Sequence, residues 1–165
     1  MDSHKSIFFN HYGYITGIID ELGLEKDTLV IHDWGSGLGL HYAAQYPENI
    51  RGIAFMEAIL QTARSADFPS DFRMGFKLMR TPFVGWLMVS VMNGFVEQIL
   101  PKATLRQLTE EEMNHYRTPY PTVRSRKPVW QWPREIPVEG KPADVTRIVC
   151  TTCNITLLNR IFPYP

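Results

Sequence analysis

Two acidic residues in this 165-residue chain follow apolar, strand-like runs. The first is Asp33, inside the run Thr28-Leu-Val-Ile-His-Asp-Trp-Gly-Ser-Gly-Leu-Gly39. The β-branched and aliphatic residues Thr28 to Ile31 predict a buried strand, and glycines at 35, 37 and 39 predict a sharp turn into a helix from about Ser36 to Gln45. Strand, tight turn and helix form a nucleophile elbow, which raises one side chain into an open site and points backbone N–H groups of the helix start toward it. Here that side chain is Asp33. The small residues that usually flank an elbow two positions away on either side are only half present, since those positions hold Ile31 and Gly35. The alternative is that Asp33 only caps the helix, a common role for aspartate there. The second acid is Glu57, directly after the apolar run Arg51-Gly-Ile-Ala-Phe-Met56, which reads as another strand.

These elements need a frame. Ile7, Phe8, Tyr12, Ile15, Ile18, Ile19 and Leu22 recur at spacings of three and four, predicting an amphipathic helix with Asp2 or Ser3 at its N-cap and Gly23 just past its end. A strand, a helix and a second strand joined by short links predict parallel pairing through a right-handed crossover, a piece of a doubly wound α/β sheet. After Glu57 the alternation stops. Helical patterns broken by Pro69, Pro82 and Pro101 follow, then a capping box at Thr109 and Glu112, then a tract with prolines at 119, 121, 128, 133, 137 and 142 that reads as extended and turn-rich. A helical insert of this size after a sheet strand is the pattern of a lid. The expected division is a partial α/β core with the elbow over 1–60, a helical cap over 61–149 and a divergent tail over 150–165.

Composition narrows the partners. Seventeen basic residues balance seventeen acidic ones, which speaks against nucleic acid or an anionic membrane. The uncharged stretch from Thr81 to Val96 is short for a membrane span and holds Pro82, Gly85 and Asn93, so a buried or lid helix is expected. Cys150 and Cys153 form a single C-x-x-C, with no second pair to complete a metal site, and are read as incidental thiols. The N-terminus shows no signal-peptide core, and a cytoplasmic location is expected.

His32-Asp33-Trp34-Gly35, Met56-Glu57, Leu100-Pro101-Lys102, Leu108-Thr109-Glu110 to Tyr116, and Val129-Trp130 to Pro133-Arg134-Glu135-Ile136-Pro137 together resemble the haloalkane dehalogenases of the α/β-hydrolase fold. The similar subgroup also holds the Renilla-type coelenterazine luciferases. The resemblance runs from about Ser3 to Val149, with Glu57 following Asp33 by 24 positions as in the family. It implies that Asp33 is the nucleophile that displaces halide and forms an alkyl ester, that the Trp34 indole N–H binds the leaving halide, and that Glu57 orients a catalytic histidine. For Trp34 the alternative is a packing aromatic, and for Glu57 an ordinary strand-end carboxylate. Phe68, Phe72, Phe76, Met79, Phe95, Ile99 and Ile136 would line an apolar pocket for a small halogenated or aromatic substrate, although core packing explains each of them equally well. Neither cofactor nor metal is implied.

Two departures qualify the resemblance. The family histidine lies near the C-terminus after two further strands, and none of His4, His11, His32, His41 and His115 holds that position. His32 precedes Asp33 on the strand and is expected to point to the opposite face. The family's N-terminal sheet, with its His-Gly-Asn-Pro loop, has no counterpart. The chain is therefore expected to be partial and inactive as written. The activity expected of the whole protein is carbon–halogen hydrolysis. Its alternatives are luciferase-type oxidation of coelenterazine on the same scaffold, or a non-catalytic fragment.

Overall fold

A computed structural model describes residues 7–155, which fall into two compact units: 7–65 with 135–155, and 66–134. The return of the chain to the first unit at Glu135 lies inside the stretch 61–149 that the sequence reading assigned to the cap.

The first unit begins with helix α1 (Ile7–Glu21). Gly23 adopts φ +59°, and the Gly23 and Leu24 N–H groups donate to the Asp20 and Ile19 carbonyls at 3.0 and 3.1 Å. This is a Schellman close on a left-handed glycine. The expected caps Asp2 and Ser3 lie outside the described residues. The first turn is capped instead by a side chain far along the chain. The buried Glu135 carboxylate accepts from Ile7 N (Oε1, 2.8 Å) and Phe8 N (Oε2, 3.0 Å), placing a negative charge at the positive end of α1. Of the apolar face expected for α1, Phe8 is fully buried, while Ile18 and Leu22 stay exposed.

Strand β1 (Asp27–Asp33) leads into helix α2 (Trp34–Gln45), and a short 3₁₀ turn (Pro47–Asn49) leads into strand β2 (Ile50–Ala58). The two strands pair in parallel, with Val30 opposite Ala54 and His32 opposite Met56, as the short links predict. Helix α2 supplies most of the core through Trp34, Leu38, Leu40, Tyr42 and Ala43. It lies close enough to β1 that a Cβ at Gly39 would meet Ile31 Cγ2 at 2.8 Å, so a glycine is needed at that crossing. The opposite face of the strand pair is open, with Val30 72% and Phe55 46% exposed. Helix α8 (Ala143–Ile155) completes this unit with Val145 and Val149 buried.

The second unit is helical. Helix α3 (Ser70–Arg80) buries Phe76 and Met79, and Arg80 Nη1 donates to the Pro133 carbonyl at 2.7 Å. Helix α4 (Pro82–Gly85) runs into two π-helical segments, Trp86–Val91 and Phe95–Ile99, and then α5 (Leu100–Ala103). The uncharged stretch is thus not one straight helix. It bends by 68° around Asn93, which has φ +54°. Among the described residues no single helix is long and apolar enough to cross a membrane.

Helix α6 (Glu110–Arg117) carries the expected capping box, with Thr109 Oγ1 accepting from Glu112 N and Glu112 Oε2 accepting from Thr109 N. Arg106 grips the same carboxylate and, with the backbone bond, holds Glu112 down at about 2. One expectation fails here. Pro128 and Pro133 do not belong to an extended tract but lie within helix α7 (Lys127–Glu135). Pro128 is the second residue of that helix, where its missing N–H is no loss. Pro133 falls in the last turn, and Arg134 stacks its guanidinium on the Trp130 ring at 4.4 Å.

Two outcomes follow for denaturation experiments. Gly39→Ala should lose about 1–3 kcal/mol by overpacking the α2–β1 crossing, whereas Gly35→Ala, whose Cβ meets nothing within 4 Å, should cost little. Glu135→Ala strips charged acceptors from one buried and one part-buried donor and should cost about 2–4 kcal/mol, with Glu135→Gln retaining part of the cap. Equal stability for the two glycine variants would mean that α2 does not approach β1 this closely.

Candidate active site

The parallel strands end side by side, and each delivers an acid at its carboxyl end, where open α/β sheets bind ligands. Asp33 is the last residue of β1 and takes φ +45°, ψ −124°, a combination sparsely populated by any residue with a side chain. It occupies the N-cap position of α2, yet its side chain makes no capping hydrogen bond, and the residue is exposed. The capping alternative therefore has no hydrogen bond behind it. The turn aims the Asp33 carboxylate outward and leaves it unspent on the helix.

Glu57 has the same positive φ, +45°. The ladder is regular from Thr28 opposite Gly52 to His32 opposite Met56, then skips so that Asp33 faces Ala58. Glu57 is the residue left over, and such a bulge re-aims a side chain. Its Oε2 lies 2.9 Å from His32 Nε2. The sequence reading placed His32 on the strand before Asp33 and paired it with nothing. The parallel register brings it to Glu57, 25 residues later. Both side chains are well exposed, at 56% and 84%, so the pair is screened and weak in stability terms. Its effect is to hold one carboxylate oxygen of Glu57.

Trp34, the first residue of α2, is 9% exposed. Its ring lies 6.2 Å from that of Phe8, and a Cβ at Gly37 would sit 3.6 Å from its Cε3. The six-membered ring is thus packed against α1 and α2, which fixes the orientation of the indole. Ser36, which sequence reasoning passed over, is fully buried in the same turn. Its hydroxyl donates to the Asp33 carbonyl (2.5 Å) and accepts from Ile59 N (2.8 Å). The only hint in the sequence was a small hydroxyl residue among glycines.

The expected pocket residues separate into three groups. Met79, Phe95 and Ile99 line a cavity of about 70 Å³ in the helical unit, together with Met88, Val89 and Met92. Phe68, Phe72 and Phe76 stack on one another, with ring centroids 4.8–6.0 Å apart. Ile136 is half-buried and belongs to the other unit. Of the C-x-x-C, Cys150 is a free exposed thiol, and the Cys153 side chain lies outside the described ones.

Comparison with known proteins shows the family and the fold. Residues 2–142 match the family model of the alpha/beta hydrolase fold. A haloalkane dehalogenase of Mesorhizobium japonicum is 46% identical over 143 residues, covering 86% of this chain and 46% of that protein. One from Bradyrhizobium diazoefficiens is 42% identical over 149 residues, covering 84% and 48%. The chain thus spans about half the length of these relatives. Among solved structures, a putative ancestral haloalkane dehalogenase superposes with a TM-score of 0.85 at 43% identity, covering 91% of this chain and 53% of that one. A haloalkane dehalogenase from Bradyrhizobium elkani gives 0.85 at 43%, covering 94% and 54%. The strand-to-helix turn that presents Asp33, the parallel strand pair and the matched family model lead to one conclusion: the chain belongs to the alpha/beta hydrolase fold family, and its relatives there are haloalkane dehalogenases.

Proposed function

We propose that this chain carries the nucleophile and acid of a haloalkane dehalogenase-like hydrolase, acting on small apolar halogenated compounds. The observation that carries the reading is the Asp33 backbone: a strained turn, an exposed carboxylate and no capping bond to occupy it. A carboxylate oxygen attacks the saturated carbon in line with the halide. The C–O bond forms as the C–X bond breaks, the bonding pair leaves with the halide, and an alkyl ester of Asp33 remains. No carbonyl is present to be polarised, so stabilisation must be aimed at the departing anion. The Trp34 indole, a donor that cannot accept, suits that task. Glu57, with one oxygen held by His32, is proposed to orient the family's catalytic imidazole, which activates water for hydrolysis of the ester and whose position none of this chain's five histidines holds.

The test is bromide release from 1,2-dibromoethane. The 165-residue chain is expected to release a burst of one bromide per molecule and then to stop at the ester. Asp33→Asn should abolish the burst, and an unchanged burst in that variant would overturn the reading. Trp34→Phe keeps most of the packing but removes the donor. Losing one donor to a developing anion costs about 2–4 kcal/mol, so the burst should slow about a hundredfold or more. An unaltered rate would leave Trp34 a packing residue. Continuous multiple turnover by this chain would contradict the proposed arrest.

A further inference from the structure

We infer that Ser36 is a positioning residue that sets the attack geometry of Asp33. This rests on the reading of Asp33 as the nucleophile. Ser36 is the third residue of α2 and has no exposed surface, so it cannot meet substrate. A hydroxyl has one donor and two acceptor sites. Here the donor goes back to the Asp33 carbonyl at 2.5 Å, and the oxygen accepts from Ile59 N at 2.8 Å.

These two partners are not arbitrary. Asp33 ends β1, and Ile59 is the first residue after β2. Between them the sheet ladder has already lost its register, because Glu57 is the extra residue of a bulge. The regular backbone bonding that would tie two strand ends together is therefore disrupted where the two acids leave the sheet. The Ser36 hydroxyl bridges that gap, and it is the side chain seen bonding to both chain reversals.

The consequence is geometric. A serine in the first turn of a helix ordinarily faces solvent or bonds back to a carbonyl of the preceding turn. Ser36 bonds to the carbonyl of the one residue in that turn whose backbone is strained. Holding this carbonyl fixes ψ of Asp33 and the plane of the Asp33–Trp34 peptide. The carboxylate and the indole leave the chain from the two Cα atoms that this peptide joins, so one bond bears on both directions. The Ile59 contact refers the same plane to the strand end that carries Glu57. In-line displacement tolerates little misplacement, and an error of about 1 Å can cost a hundredfold.

The inference separates from a packing role by kinetics. Single-event alkylation by 1,2-dibromoethane is followed by intact mass on the 165-residue chain, its Ser36→Ala variant and an Ala43→Gly control. Ala43 is equally buried on α2 and touches neither acid's turn in this account. Adduct amplitude reports the folded fraction, and the limiting rate constant reports geometry. Ser36→Ala should lower the limiting rate constant by about ten- to a hundredfold with the half-saturating concentration unchanged. Ala43→Gly should lower amplitude alone. Ser36→Thr, which keeps the hydroxyl, should stay within about threefold of the parent in limiting rate constant, and it serves if the alanine variant does not fold. A Ser36→Ala rate equal to the parent, or a Thr variant as slow as the alanine one, would overturn the inference. Absence of any Asp33 adduct in the parent would instead remove the reading on which it rests.

Discussion

The turn from β1 to α2 constrains everything else in the first unit. A residue with a side chain at φ +45°, ψ −124° costs about 1–3 kcal/mol and persists only when its surroundings over-determine it. The surroundings here do so from both sides. Behind the turn, Gly39 lets α2 settle onto Ile31, and α2 buries Leu38, Leu40 and Tyr42, each worth about 1.5–3 kcal/mol of apolar burial. Inside it, the Ser36 hydroxyl joins the Asp33 carbonyl to the end of β2. The carboxylate is left out of this bonding, which is why the turn can present it.

The acid on the second strand follows from the same arrangement. Parallel pairing puts both strand ends on one edge, and the bulge turns Glu57 to His32. A strand-end carboxylate on a regular ladder would have alternated with its neighbours and made no such contact. The helical unit shows a different economy. Its helices break before Pro82 and bend around Asn93, and its cohesion comes from the buried Phe76, Met79, Val89, Val96 and Met113, with Arg117 reaching both Glu97 and Glu110 at 2.9 Å on the surface.

Much of this was legible in the residues because it is local. The Gly23 close of α1, the Thr109–Glu112 capping box and the strand–glycine–helix run each depend on neighbours within a few positions. The parallel pairing was legible because short links leave few alternatives. What escaped was non-local or depended on position within a turn. Glu135 caps α1 across more than a hundred residues, and its partners are backbone N–H groups, which carry no signal in the sequence. His32 meets Glu57 only after the register is known. Pro128 and Pro133 read as breakers, but the first turn of a helix loses nothing to a proline, and Pro133, which does forfeit a bond, sits where the helix is about to end. Ser36 looked like one more small residue in a glycine-rich turn. Its significance depends on where its two bonds go.

The central claim is that the turn presents Asp33, and not a neighbour, as the attacking group. Peptide mapping by tandem mass spectrometry after brief exposure to a haloalkane tests this most directly, because it locates the transferred alkyl group on a single atom's residue. The account predicts a base-labile ester on Asp33. Alkylation on His32, Glu57 or Cys150 with Asp33 unmodified would contradict it.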